Sequence, residues 1–380
     1  MAIGTTRLTA HARQLGFDLV GAAPAHPPPQ HVKAYQDWLT RGDHAGMTYM
    51  ARPDRVARRV DPAVIMPDVR SIVCVAVNYA SPPPVPPDDR PRGRITRYAW
   101  GADYHDWILE RLVELAGLLQ RQIGRHLHTR AYVDTGPVLE RAFAARAGLG
   151  FVGKNTCLIS PRLGSWFFLG VLLVDVDLGL TGQPLPPRCG ICTRCLDACP
   201  TGALTAPYRL DARRCLSYLT IEHQGPIPNH LRPRMGNWIF GCDICQSVCP
   251  WQRFAQPTAV RAFRPASAER VTPALADLLR LDEEAFRHCF EGTAILRSGR
   301  SRLLRNAAVA LGNLGHPEAV PALALALTDG DPLVRGHAAW ALGRFDTPAA
   351  SQALAAAWEQ EPLPDVQREL AAALRLRGNL

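Results

Sequence analysis

CGICTRCLDACP, residues 189–200, is the stretch from which the rest of the chain can be read. Its thiols stand at Cys189, Cys192, Cys195 and Cys199, the last followed by Pro200, in the spacing C-x2-C-x2-C-x3-C-P. In such a run the first three thiolates hold one 4Fe-4S cluster and the fourth reaches a second. A further set stands at Cys242, Cys245 and Cys249, again before a proline, but Ile239 occupies the place of a leading cysteine. Cys215 is the remaining thiol of the region and the natural replacement. Crossing the fourth ligands gives one site on Cys189, Cys192, Cys195 and Cys249, and another on Cys199, Cys215, Cys242 and Cys245. Disulfides are disfavoured because the start, MAIGTTRLTAHARQLGF, has no apolar secretory core. Zinc takes C-x2-C pairs, yet four thiolates in so tight a run crowd one tetrahedral site.

The 380 residues suffice for two or three domains with cores of their own. Hydrophobic residues make up 47% of the chain without an uncharged apolar run long enough to span a membrane, so a soluble, cytoplasmic protein is expected. The formal charge of +9 is carried by arginine, since Lys33 and Lys154 are the only lysines. Arginine makes bidentate phosphate contacts, which suits a polyanionic partner; the arginine-rich codon usage of a GC-rich genome accounts for the excess equally well. No coiled-coil pattern demands a second copy, and a monomer is expected. Three cysteines fall outside the two sets: Cys74, within SIVCVAV, reads as a core residue, Cys289 lies on a helix, and Cys157 has no assigned role.

Outward from the cysteines the chain divides into three expected stretches: an α/β domain over 1–180, a two-cluster region over 181–260, and a helical region over 261–380. Apolar runs at 71–78, 130–134 and 166–174 predict strands, separated by a helix over 106–126 with Leu109, Leu112, Leu115 and Leu119 on one side. PPPVPPDDRPRGR, residues 82–94, excludes regular structure because its prolines fix the backbone and remove donors. In the last stretch Asn306 to Gly312, NAAVALG, recurs as His337 to Gly343, HAAWALG, a shift of 31, with a weaker copy from Asp365 to Leu374. Repeats of this length predict paired helices stacked into a solenoid.

Clusters pass single electrons but do not choose a substrate. Asp134, at the end of a predicted strand, is the candidate acid, although an aspartate before Thr135-Gly136-Pro137 also reads as a turn residue bonding its own backbone. Gly153-Lys154-Asn155 reads as an anion-binding turn or an ordinary loop, and His223 as an isolated histidine that could serve as ligand or base.

YVDTGPVLERAFAARAGLGFVGKNTCLIS, CGICTRCLDACPTGAL, CLSYLTIEHQGPIP, GCDICQSVCPW and RLLRNAAVALGN, in that order, closely resemble the epoxyqueuosine reductases. The resemblance implies an α+β multidomain protein: an α/β cobalamin-binding domain, a ferredoxin-like insert with two 4Fe-4S clusters, and C-terminal α-helical HEAT-like repeats. It implies an oxidoreductase that converts epoxyqueuosine to queuosine at the wobble position of tRNA, fed by an unidentified electron donor. Asp134 falls on the family's proton donor. Arg59, Lys154, Asn155, Ser217, Gly241 and Asp243 fall, with Asp134, in segments expected to line the cobalamin pocket. Thr220, Glu222, His223 and Gln224 fall in a segment expected near the tRNA, whose phosphates Arg302 and Arg305 of the helical region are expected to hold. A reductive dehalogenase shares the corrinoid and two-cluster logic but carries an export signal and no helical repeats; a non-catalytic two-cluster electron carrier would need neither cobalamin nor Asp134.

Overall fold

The computed structural model describes residues 5–376, so the outer limits of the expected first and third stretches, at 1 and 380, lie outside the described residues. By contacts the chain forms two compact units that do not follow the divisions at 180 and 260. Of the described residues, one unit comprises 5–82, 103–213 and 244–264, the other 83–102, 214–243 and 265–376.

The first unit is built on four strands, β1 (Leu19–Pro24), β2 (Ser71–Asn78), β3 (Thr129–Tyr132) and β4 (Phe167–Val174), in the order β1-β2-β4-β3 and antiparallel throughout. Every residue of β2 is buried, which explains why SIVCVAVN reads as a continuous apolar run rather than an alternating one. Ile72, Cys74 and Ala76 share a core with Phe143 and Ala144 of the helix Glu140–Arg146. The opposite face receives the helix Tyr104–Ile123: a Cβ added at Gly170 of β4 would lie 2.7 Å from Ile108. That helix buries Ile108, Leu112, Leu115 and Leu119, while Leu109 is 41% exposed. One residue turns the helix by about 100°, so Ile108 lies on the stripe set by the other three and Leu109 lies beside it. Asp103 caps the start by accepting from the His105 N–H, and Gly124, at φ 79, ends it.

In the second unit the expected repeat appears as the helices Arg300–Leu314, Pro332–Leu342 and Pro364–Arg375, each packed on the next. The recurring glycine has a packing reason. A Cβ at Gly312 would meet Ala341 at 2.9 Å, and one at Gly343 would meet Ala373 at 2.9 Å, so glycine lets neighbouring helices approach closely at the same place in successive repeats. Three polar residues at equivalent positions, Asn306, His337 and Glu369, face a common stretch of chain. Asn306 donates to the carbonyls of Thr220 and Ile239, at 2.9 and 2.8 Å. His337 donates from Nδ1 to Leu333 and accepts the Ile227 N–H on Nε2, at 2.7 and 3.1 Å, which fixes its neutral tautomer; burial holds its pKa well below the usual value. Glu369 takes Arg232 in a bidentate pair at 2.6 and 2.8 Å. Among the described residues no helix is long and apolar enough to cross a membrane.

Candidate active site

β3 ends at Tyr132, and two residues later Asp134 adopts φ 61, the left-handed region that a residue with a Cβ seldom enters. The turn is tight: Thr135 N–H donates to Val133 at 2.6 Å, and a Cβ at Gly136 would lie 2.4 Å from the Tyr132 ring. Such a backbone costs about 1–3 kcal/mol and persists where surrounding contacts enforce it. Here the carboxylate does not close an aspartate turn on its own backbone; Tyr104 reaches across from the helix Tyr104–Ile123 and donates its hydroxyl to Oδ2 at 2.8 Å. Tyr104 is itself fixed by stacking on Phe168, with ring centres 4.0 Å apart and planes 9° apart. The result is an exposed carboxylate in one orientation.

Glu140 lies close enough to Asp134 to feel its charge, and Arg59 lies close to Glu140. Arg59 is 7% exposed and lies over the Tyr35 ring, its Nη1 without a partner among the described residues. Glu140 has a buried Oε1 without a hydrogen-bond partner. Burial pushes Glu140 up to about 8 and the charge of Asp134 adds to this, against the opposing pull of Arg141 and Arg59, so Glu140 holds its proton at neutral pH. The sequence offered Asp134 as the candidate acid and gave no reason to single out Glu140. The only signal was its place six residues on, at the start of the following helix.

In the same unit the short helices Arg194–Asp197 and Ile244–Ser247 pack together and bring Cys249 toward Cys189, Cys192 and Cys195. Burial raises Cys195 to about 11, with the Cys189 and Cys249 thiols adding to it, and burial likewise raises Cys249 beside Cys189 and Cys192. Thiols that hinder one another's ionisation in this way form a donor set that a polycationic cluster relieves. Cys157 also lies close enough to Cys249 to contribute to its shift. Cys199 behaves differently: burial would raise it, but N–H groups of the 201–204 turn and the Thr201 hydroxyl outweigh burial and hold it low, Ala203 donating to Sγ at 3.2 Å. Cys199 and Cys245 belong to the first unit, Cys215 and Cys242 to the second.

Lys154 and Asn155 are occupied with the cluster loops. The Lys154 ammonium donates to the carbonyls of Gly190 and Cys192 at 2.7 and 3.0 Å, and its N–H points at Cys189 Sγ at 3.4 Å. Asn155 donates to the Cys245 carbonyl at 3.2 Å and accepts from Cys157 N–H. In the second unit, Gly241 at φ 68 leaves no room for a side chain, since a Cβ would lie 2.3 Å from Thr96. Both Asp243 oxygens are engaged, one by the Thr96 hydroxyl and the other by the Arg97 N–H at 2.7 Å. Ser217 is half-buried on the helix Leu216–Ile221.

Several residues expected at an RNA surface are internal. Thr220 is fully buried, donating to the Leu216 carbonyl at 2.7 Å and accepting the Gly241 N–H at 2.9 Å. Arg305 has no exposed surface and spends its guanidinium on the carbonyls of Leu219, His223 and Gly225 at 2.6–2.7 Å. The expectation that it holds a phosphate is therefore corrected: three carbonyl oxygens have taken the place of the anion. Arg302 is half-buried and donates to the carbonyls of Ser298, Ile221 and Arg297. His223 is half-buried against the Pro226 carbonyl, and burial lowers its pKa. Glu222 and Gln224 remain exposed.

Three stretches of the chain match known families. Residues 59–135 match one described as Epoxyqueuosine reductase QueG, DUF1730; residues 188–252 match a 4Fe-4S double cluster binding domain; residues 293–375 match HEAT repeats. The chain is 44% identical over 343 residues to an epoxyqueuosine reductase of Pseudomonas aeruginosa, across 87% of this chain and 92% of that relative. It is 41% identical over 334 residues to the enzyme of that name in Escherichia coli, across 87% and 86% of the two chains. The crystal structure of an epoxyqueuosine reductase with a tRNA-Tyr epoxyqueuosine-modified tRNA stem loop matches at TM-score 0.91 and 33% identity, over 98% of both chains. The Bacillus subtilis epoxyqueuosine reductase with its catalytic aspartate loop swung out of the active site matches at TM-score 0.89 and 32% identity, again over 98% of both.

Proposed function

The chain belongs to the epoxyqueuosine reductase family, and we propose that it reduces epoxyqueuosine to queuosine at the wobble position of tRNA, using two 4Fe-4S clusters and cobalamin. The observation that carries this reading is the Asp134 carboxylate, exposed and held by Tyr104 on a left-handed turn, in the same unit as a convergent four-thiol set. The residues suit the cofactors. Eight thiols stand in two-cluster spacing, and the Nη1 of buried Arg59, close to Glu140 and without a partner among the described residues, is a polar group suited to a ligand. When bound, cobalamin supplies a reduced metal nucleophile able to open an epoxide, and the clusters supply its electrons one at a time.

The chain's own part is binding, orientation and protons. The overall conversion takes an epoxide, two electrons and two protons to an alkene and water. Asp134, after taking up a proton from solvent, would deliver it to the ring oxygen as charge develops there, with the Tyr104 hydroxyl setting the carboxyl's direction. Glu140, neutral beside it, would hold a second proton out of bulk water. Arg59, Lys154, Asn155, Ser217, Gly241 and Asp243 would bound the corrin site, with Gly241 packed so closely on Thr96 that its backbone is held in place. The second cluster would take Cys199, Cys215, Cys242 and Cys245. The exposed Glu222 and Gln224 would meet the RNA, while Thr220, Arg302 and Arg305 would shape the segment that carries them. A functional division into 1–180 for the corrin, 181–260 for the clusters and 261–380 for the repeats, in a cytoplasmic monomer, completes the reading.

The test is anaerobic reconstitution with iron, sulfide and cobalamin, then incubation with a viologen reductant and epoxyqueuosine tRNA, and mass analysis of the nucleosides. Loss of one oxygen from the modified base is expected. Asp134→Asn should keep cluster and corrin absorbance yet form product at least ~100-fold more slowly, the usual weight of a positioned general acid. Unchanged turnover in that variant, or no product from the intact protein, would overturn the assignment.

A further inference from the structure

Two clusters need a point where electrons enter, and the surface around the first thiol set has the character of an entry face. Ile191, between Cys189 and Cys192, is 99% exposed at the tip of a loop that turns at Gly190, φ 52. Lys154 holds the carbonyls of that loop through Gly190 and Cys192, so the tip is fixed rather than floppy. Arg194, three residues after Ile191, and Arg253 line an open groove of about 720 Å³ together with Cys249, itself in the thiol set. Arg188, next to Cys189, lines a cavity of about 430 Å³. All three arginines are exposed, and among the described residues none forms an ion pair. The groove's one carboxylate, Asp197, accepts the Thr193 hydroxyl at 2.7 Å.

We infer that this face docks an acidic one-electron carrier protein, with Ile191 as the apolar contact and Arg188, Arg194 and Arg253 as the surrounding positive charge. The inference rests on the cluster assignment above and names the donor's class. In each encounter one electron leaves the reduced carrier and enters the adjacent cluster, so two encounters supply the two-electron reduction. A small interface of this kind, apolar at the centre and charged at the rim, favours fast, short-lived, salt-sensitive association. RNA phosphates would also take the arginines, but they would gain nothing from an apolar tip on a cluster-ligand loop.

The test follows cluster reduction in the reconstituted full chain by anaerobic stopped-flow absorbance, using a reduced acidic flavodoxin in one arm and the methyl viologen radical cation in the other. Reversing the charges in Arg188→Glu/Arg194→Glu/Arg253→Glu should slow reduction by flavodoxin about tenfold or more at low salt and flatten its salt dependence. Reduction by viologen should be undiminished, and affinity for an anticodon stem loop unchanged. Ile191→Ser, which leaves the charges alone, should weaken flavodoxin binding without altering the salt slope. Flavodoxin rates unchanged in both variants would overturn the proposal, as would lost RNA affinity with flavodoxin rates intact, which would assign the face to RNA. If the triple variant takes up too little iron, Ile191→Ser and the single Arg253→Gln decide alone. Viologen-driven conversion of epoxyqueuosine RNA separates the two readings: its absence sinks the function, whereas its presence with insensitive flavodoxin rates sinks only the docking face.

Discussion

Replacing Arg305 distinguishes two roles for one cation. If its guanidinium held a phosphate, Arg305→Gln would lower tRNA affinity mainly at low salt, because each neutralised phosphate contributes about 0.9 to the slope of log affinity on log salt. The structure assigns it instead to the carbonyls of Leu219, His223 and Gly225. Hydrogen bonds to a charged group are worth roughly 1.5–3 kcal/mol each, so three amount to ~4.5–9 kcal/mol gross. Bringing the cation out of water costs several kcal/mol, and that burial pulls Arg305 down to about 9, so the net loss should be about 2–4 kcal/mol. Denaturant unfolding of the variant should show a lower midpoint at unchanged slope. Affinity for a tRNA stem loop, measured from low to high salt, should fall by a constant factor as the 219–225 segment loses its anchor. A salt slope shallower by about one phosphate, with stability intact, would refute the internal role.

Tyr104→Phe removes the one hydroxyl that orients Asp134 and should slow single-turnover reduction about 10- to 100-fold while leaving clusters and corrin bound; a rate within twofold of the parent would show that the turn alone fixes the carboxyl. Glu140 yields a prediction in pH. Its folded-state pKa, about 8, lies above its ordinary value of 4.5, so the folded chain binds the proton more tightly and stability falls as pH rises from about 4.5 to about 8. Glu140→Gln should remove that decline in denaturant titrations between pH 5 and pH 8, and a decline of equal size in the variant would place its source elsewhere.

The parts of the fold that follow from spacing were the most legible. The cysteine runs and the repeat of NAAVALG as HAAWALG depend on periodicity alone, and Gly312 and Gly343 explain in contacts why the repeat keeps its glycine. β2 was legible because both of its faces are covered. What escaped was anything settled by a partner distant in sequence. Arg305, in an alanine- and leucine-rich helix, reads as a surface cation because carbonyl oxygens some 80 residues away leave no mark in a sequence. Thr220 reads as exposed for the same reason, its hydroxyl being fixed by Gly241. Glu140 escaped because a glutamate in the first turn of a helix is ordinary, and only the burial of its carboxyl sets it apart.

The polar ladder of Asn306, His337 and Glu369 bears on how far the protein can be shortened. Helical repeats are often regarded as detachable accessories, yet here each successive rung clamps a later point of one strap, at Thr220, Ile227 and Arg232. Trimming from the C-terminal end would therefore unbutton that strap in reverse order, and a minimal version that kept every cysteine and Asp134 would still need the last rung to stay fastened.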